Sequence, residues 1–266
     1  MMRTILCILA IVIFFIFSLP LFLVEWIIGK ISPRARDISQ LRILQGYSRF
    51  VLWLAGVHLH VSGLEHIPSD RAVLYVCNHR SVFDVLLLYI HCPDRTGFIA
   101  KKELRKVPVL GLWLQNLYGL FIDRDNLRDG LKVILTAIDQ VKSGISMAVF
   151  PEGTRSREQS ELPLLPFHEG TFKISTKTGC PIIPVTILHS SRILEDHFPW
   201  IHATDVYMTY HPAVEPAAMT REQLRFTGRT VSGIMEEMLA EDMKAAGETP
   251  RLSAAGGSLE NPGKLK

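Results

Sequence analysis

The chain opens with an uninterrupted apolar run. Residues 5–24 carry no charge, and sixteen of the twenty are Leu, Ile, Phe or Val. As a helix rising about 1.5 Å per residue, this run spans a hydrocarbon layer of roughly 30 Å. Each such residue favours insertion by about 0.3–0.6 kcal/mol at a helix centre, so the segment predicts membrane association by itself. A cleavable leader has a shorter apolar stretch closed by small residues, whereas this run leads into Glu25 and Trp26. Pro20 predicts a kink, which would let the segment enter one leaflet and return instead of crossing. A second apolar stretch, residues 50–59, is too short to span. It is expected to pack back on the first or to lie at headgroup depth with Trp53 as an anchor.

From about residue 58 the pattern alternates between strands and helices, the signature of an α/β domain. The strands predicted are residues 58–62, 72–77, 97–100, 119–122, 146–150, 182–188 and 206–210, and the helices 82–91, 127–142 and 169–178. In 127–142, Leu127, Leu131, Ile134, Leu135, Ile138 and Val141 share one face, and Gly144 follows as a stop. Thr220 and Gln223 form a capping box that opens a last helix, with Leu224, Val231, Ile234, Met235, Met238 and Leu239 facing inward. Gly, Pro, Ser and Lys then dominate. The division expected is a membrane-associated helical segment over 1–55, the α/β domain over 56–246 and a flexible tail over 247–266.

Composition narrows the class. With 48% hydrophobic and 21% charged residues the chain is not disordered, and a net charge of +3 is too small for a nucleic-acid binder. It suits a protein beside anionic lipid or an anionic substrate. Lys30, Arg34, Arg36, Arg42 and Arg49 follow the apolar run, against Arg3 before it, which places the bulk of the chain on the cytosolic side. Cys7, Cys77, Cys92 and Cys180 are widely spaced with no C-x-x-C pair, so neither a disulfide scaffold nor a zinc ribbon is expected.

Four segments bear on chemistry. The strand 72–77 leads into Asn78-His79-Arg80-Ser81-Val82-Phe83-Asp84. With Ser81 as N-cap, Asp84 falls at N3 and points back at His79, where it can hold one ring nitrogen protonated and leave the other free as a base. An ordinary Ser-x-x-Asp capping box beside a surface histidine has the same pattern. Arg124 ends the strand segment Gly119-Leu120-Phe121-Ile122-Asp123-Arg124, where α/β sheets bind ligands. In Phe150-Pro151-Glu152-Gly153-Thr154-Arg155-Ser156, Gly153 lets the backbone approach a ligand, and Thr154 and Arg155 can donate to an oxyanion. An unremarkable turn also collects Pro, Gly and Ser. Pro184 in Cys180-Pro181-Ile182-Ile183-Pro184-Val185 argues for an edge strand or a bulge, with the wall of an acyl-chain site as its most specific use.

The ordered set N-H-x-x-x-x-D, F-I-D-R, F-P-E-G-T-R-S and P-I-I-P-V, over about residues 50–210, resembles the glycerolipid acyltransferase superfamily. Within it, the 1-acyl-sn-glycerol-3-phosphate acyltransferases are most similar. The resemblance implies a mixed central sheet flanked by helices, behind a membrane-embedded N-terminal helical segment. It implies transfer of a fatty acyl group from acyl-CoA or acyl carrier protein to the sn-2 hydroxyl of lysophosphatidic acid, giving phosphatidic acid. The alternative acceptors are another lysolipid or glycerol 3-phosphate. Carried over, His79 is the catalytic base and Asp84 its orienting partner. Arg124, Glu152, Gly153, Thr154 and Arg155 form the glycerol-phosphate site, with Lys101 of Ala100-Lys101-Lys102-Glu103-Leu104 as an addition. The chain departs from the family at His168-Glu169, where a lysine is common.

The reaction expected is direct attack of the acceptor hydroxyl, with no metal, no cofactor beyond the thioester co-substrate, and no acyl-enzyme. The chain has no G-x-S-x-G elbow and no cysteine placed beside the base, since Cys77 is expected to face the sheet core. A tethered metallohydrolase would need H-E-x-x-H or a third partner for His58 and His60, and a scaffold would not need His79 and Asp84 together with two arginines. Residues 107–118 are either a lip against lipid or an ordinary core helix.

Overall fold

The computed structural model describes residues 1–248. Helix α1 (Met2–Ile31) runs without a break through Pro20, turns at Ser32, and packs antiparallel on α2 (Pro33–Ala55). Ser32 caps α2 by accepting the Ala35 N–H, Pro33 occupies the first turn, and Gly56, in the left-handed region, ends the helix. Contacts run the length of the hairpin: Cys7 to the Val51 carbonyl, Phe14 stacked on Tyr47 at 3.8 Å, and Ser39 Oγ donating to Glu25. Of the described helices α1 alone is long and apolar enough to cross a membrane, and Ile8, Phe17, Leu23 and Trp26 point outward from it. In the second apolar stretch Val51, Leu52 and Ala55 are buried, while Phe50 and Trp53 are exposed and stacked on each other.

Seven strands form one sheet: β1 (Val57–Ser62), β2 (Leu74–Cys77), β3 (Thr96–Lys101), β4 (Leu120–Ile122), β5 (Ser146–Val149), β6 (Ile182–Leu188) and β7 (Thr204–Tyr210). Their order is β1-β7-β6-β2-β5-β3-β4. The five strands from β6 to β4 are mutually parallel, and β7 lies antiparallel to β6, so the sheet is mixed, as expected. One face packs on α1, α2, α3 (Asp84–Tyr89) and α4 (Leu110–Asn116) through a core that includes Tyr75, Leu87, Trp113 and Val185. The other face packs on α5 (Leu127–Lys142), α6 (Lys173–Thr178) and α8 (Thr227–Ala245), with Leu74, Ile138, Phe172 and Met235 between. The four cysteines are free and buried, Cys77 in the sheet core.

Several local expectations need correction. The helix after His79 begins at Asp84, not at residue 82, and residues 80–83 form a loop whose N–H groups go to the side chains of Asp84, Glu195 and Ser81. Ser81 Oγ accepts the Phe83 N–H instead of capping Asp84. Of the two expectations for Pro184 the edge strand fails, since β6 lies between β7 and β2, and the bulge holds. The proline is tolerated because it faces His211, just past the end of β7, and because the segment opposite holds one extra residue between Val185↔Tyr210 and Ile182↔Val214. The Thr220–Gln223 capping box forms, but it caps a short α7 (Arg221–Arg225). The chain breaks at Phe226, and Glu169 receives the Gly228 and Arg229 N–H groups at the start of α8. Residues 107–118 dock the hairpin: Trp113 is buried, packs against Phe14 and Phe22, and donates to Ser18 Oγ at 2.8 Å. The tail beyond residue 248 lies outside the described residues. Glu248 itself is held by His189 and Arg192.

Candidate active site

In parallel α/β sheets the loops at the C-terminal strand ends share one crevice. Here they bring together the segments after β2 (His79), β5 (Glu152 to Arg155), β4 (Arg124) and β6 (Glu195). Asn78 pins the end of β2 to β6 by exchanging two hydrogen bonds of 2.8 Å with the Ile187 main chain. Its neighbour His79 is thereby held at the rim of the crevice, with 16% of its side chain exposed.

His79 Nδ1 lies 2.8 Å from Asp84 Oδ2. Asp84 is fully buried, and the same oxygen also accepts the Arg80 and Ser81 N–H groups, each at 2.8 Å. Because a carboxylate can only accept, Nδ1 carries the proton and Nε2 is left with its lone pair. The imidazole lies on the ring of Phe150, which restricts its rotation.

The N–H groups of this loop all go to side chains, while the His79 carbonyl accepts the Ser156 N–H at 2.8 Å. His79 N–H goes to Glu152 Oε1 at 2.7 Å, those of Arg80 and Ser81 to Asp84, that of Val82 to Glu195 Oε1 at 2.9 Å, and that of Phe83 to Ser81 Oγ at 3.1 Å. Five consecutive donors are satisfied without a backbone acceptor, three by the local Asp84 and Ser81 and two by Glu152 and Glu195 brought from elsewhere. Arg80 adds a staple of its own. Its buried guanidinium lies 3.0 Å from Glu161 and donates to the carbonyls of Glu158 and Ser160, and Glu161 also accepts the His189 N–H. Burial raises the pKa of Glu161, against the pull of Arg80.

Glu152 is buried, and its second oxygen accepts the Leu165 N–H at 3.1 Å. Burial pushes its carboxyl up to about 7, opposed by the two N–H donors. Both oxygens are committed to main chain, so Glu152 shapes the His79 segment. Gly153 follows at φ +70°, and a Cβ there would lie 2.7 Å from His168 Nε2. Thr154 and Arg155 are exposed, and Arg155 Nη1 donates to Glu195 Oε1 at 2.8 Å. Lys101 ends β3, exposed, with its Nζ 3.7 Å from Glu103.

A cleft of about 1000 Å³ opens at Phe150, the ring on which the base lies, and His79 itself does not line it. Ile99, Ile122, Leu131, Ile134, Leu135 and Val149 line it with Phe150 and Gly153, and Arg124 and His168 are among its polar contributors. This corrects the reading of α5. Ile138 and Val141 are core, but Leu127, Leu131 and Leu135 are exposed along the cleft, Leu127 at 90%. Strand β6 does not line it, and neither do Lys101 and Arg155. His58 and His60 converge on one residue, Asp205 of β7, at 3.9 and 3.0 Å.

The structure thus joins His79, Asp84 and Glu152, and it places Arg124 and Gly153 on one cleft. Sequence reasoning missed Phe150 as the partner of the imidazole, and missed Arg80, Glu161 and Glu195 altogether. The last two lie in no motif. His168 had a signal, its departure from the family pattern.

Comparison with known proteins agrees with this architecture. Residues 58–188 match the family model described as Acyltransferase. The chain is 29% identical over 62% of its length to a 1-acyl-sn-glycerol-3-phosphate acyltransferase of Borreliella burgdorferi, of which it covers 64%. It is 33% identical over 63% of its length to the alpha form of Mus musculus, covering 58% of that protein. The chain therefore spans a little under two thirds of the length of these curated relatives. The crystal structure of the 1-acyl-sn-glycerophosphate (LPA) acyltransferase PlsC from Thermotoga maritima superposes with a TM-score of 0.78 at 25% identity, covering 91% of this chain and 95% of that one.

Proposed function

We propose, for a chain whose residues 58–188 form an acyltransferase-family domain, that it transfers a fatty acyl group from a thioester donor to the sn-2 hydroxyl of lysophosphatidic acid. The product is phosphatidic acid. One observation carries this reading: His79, oriented by Asp84 at 2.8 Å, lies against Phe150, which continues as the wall of an apolar cleft shared with Arg124 and Gly153. A base, an alkyl-sized space and a cation for a phosphate are the parts this reaction needs.

In the mechanism, His79 Nε2 removes the proton of the acceptor hydroxyl as its oxygen attacks the thioester carbonyl. The Asp84 carboxylate stabilises the imidazolium that forms. The tetrahedral oxyanion then collapses, the carbon–sulfur bond breaks, and the departing thiolate takes the proton back from His79. A thiolate leaves readily, so the chain need supply only positioning and proton transfer. Since all five N–H groups of residues 79–83 are occupied, donors to the oxyanion come from outside that loop. Arg124 and Arg155 hold the phosphate, with Thr154 and Lys101 as further donors at its edge. The cleft along α5 takes an acyl chain.

The α1 hairpin seats the enzyme in the bilayer, so that lipid substrates reach the crevice from the headgroup layer. The basic residues after α1 support a cytosolic catalytic domain. The full-length protein in detergent, given labelled acyl-CoA or acyl carrier protein and a panel of acceptors, should form phosphatidic acid from lysophosphatidic acid. Preference for glycerol 3-phosphate or a non-phosphorylated lysolipid would overturn the acceptor assignment, and the two donor arms decide the donor.

A further inference from the structure

We propose that Glu195 is a positioning residue for the acceptor's phosphate: it aims Arg155 and ties that guanidinium to the catalytic loop. The inference rests on the reading of this chain as an acyltransferase with a phosphorylated acceptor. Glu195 lies in the turn after β6, outside the family-matched residues 58–188 and outside every motif in the sequence. A single oxygen, Oε1, accepts both from Arg155 Nη1 at 2.8 Å and from the Val82 N–H at 2.9 Å. Val82 belongs to the loop whose other N–H groups hold His79 and Asp84 in register, so one carboxylate oxygen joins the cation to the base.

The geometry fits a phosphate receptor. A guanidinium has five N–H donors in a planar fork, and the bond through Nη1 leaves the remaining donors available. The Arg155 side chain is 41% exposed, open to an incoming anion while anchored at one corner. A long side chain free in solvent must be immobilised when ligand binds, and each such side chain weakens binding severalfold. Glu195 removes that loss by ordering Arg155 in the unliganded protein. Its position on Val82 means that the ordered guanidinium also has a fixed relation to the attacked carbonyl.

The test is steady-state kinetics of the full chain with lysophosphatidic acid varied at saturating donor, for wild type, Glu195→Ala, Glu195→Gln, Arg155→Ala and the double Glu195→Ala/Arg155→Ala variant. Glu195→Ala should raise KM about two- to ten-fold, more than it lowers kcat. Glu195→Gln, whose amide oxygen still accepts from both donors, should restore most of the loss. On the Arg155→Ala background the Glu195→Ala change should add nothing to KM. An unchanged or lowered KM in Glu195→Ala, or an equal rise with and without Arg155, overturns the proposal while the acyltransferase reading stands. A wild-type protein that does not turn over lysophosphatidic acid overturns both.

Discussion

Phe150 lies nearly parallel to the His79 imidazole, ring centroids 4.1 Å apart and planes 21° from each other. The same phenyl ring walls the apolar cleft and leans on Phe98 of β3 at 6.2 Å. The orientation of the base is therefore set from two sides, by the Asp84 carboxylate at Nδ1 and by an aromatic plane along its face. An acyl chain in the cleft would pack against the same ring that steadies the imidazole.

His79→Ala is expected to lower kcat about 10²–10⁴-fold with little change in thermal midpoint, because the side chain sits at the crevice rim. Asp84→Asn should cost a similar factor by favouring the wrong tautomer. Initial rates of phosphatidic acid formation check both. A His79→Ala enzyme that keeps a tenth of wild-type turnover would remove the imidazole from the chemistry.

Glu152 gives a pH signature in stability. Its carboxyl titrates near 7 in the fold and near 4.5 when exposed, so the folded protein holds a proton that the unfolded chain releases between those values. The stability due to that proton is complete below about pH 4.5 and is lost as pH rises through about 7. Relative to Glu152→Gln, which stays neutral, the wild type should lose on the order of 3 kcal/mol over this window. Chemical denaturation at several pH values measures it, and a pH-independent difference between the two proteins contradicts it.

Gly153→Ala meets two obstacles, a φ of +70° and a Cβ 2.7 Å from His168 Nε2. The variant should lose about 1–3 kcal/mol of stability from the backbone term alone. Adding His168→Ala should relieve the contact but not the backbone strain, leaving the double variant intermediate. Full recovery in the double variant would show that the conformation at Gly153 costs an alanine nothing.

Leu131→Trp fills the cleft without disturbing the core, because Leu131 is exposed along it. The profile of acyl donors used should shift toward shorter chains, with turnover of the shortest donors preserved. An unaltered chain-length profile would mean that no acyl chain enters beside α5.

Much of the fold was legible along the chain because its signals are local. The seven strands announce themselves by short apolar runs between turn residues, and helix 127–142 by its periodicity and the Gly144 stop. His79 and Asp84 are five residues apart, so their contact lay within local reach of the pattern, although the helix begins only at Asp84. The apolar face of α5 was legible too, but not its use. Periodicity says which residues share a face, and it does not say whether that face meets a sheet or a cleft. Likewise Pro184 signals a missing donor, and only the end of β7 beside it shows why an interior strand tolerates the loss.

What the sequence determined by itself was the membrane-seeking helix, the α/β alternation and the paired imidazole and carboxylate, each settled by neighbours within a few positions. What the tertiary structure decided was which distant groups meet them. Glu152 reaches His79, Glu161 reaches Arg80, and Glu195 reaches Val82 and Arg155 because β5 and β6 flank β2 in a parallel sheet and end beside it. Strand order arises from packing summed over the whole domain, so residues separated by 40 to 113 positions carry no local trace of their partnership.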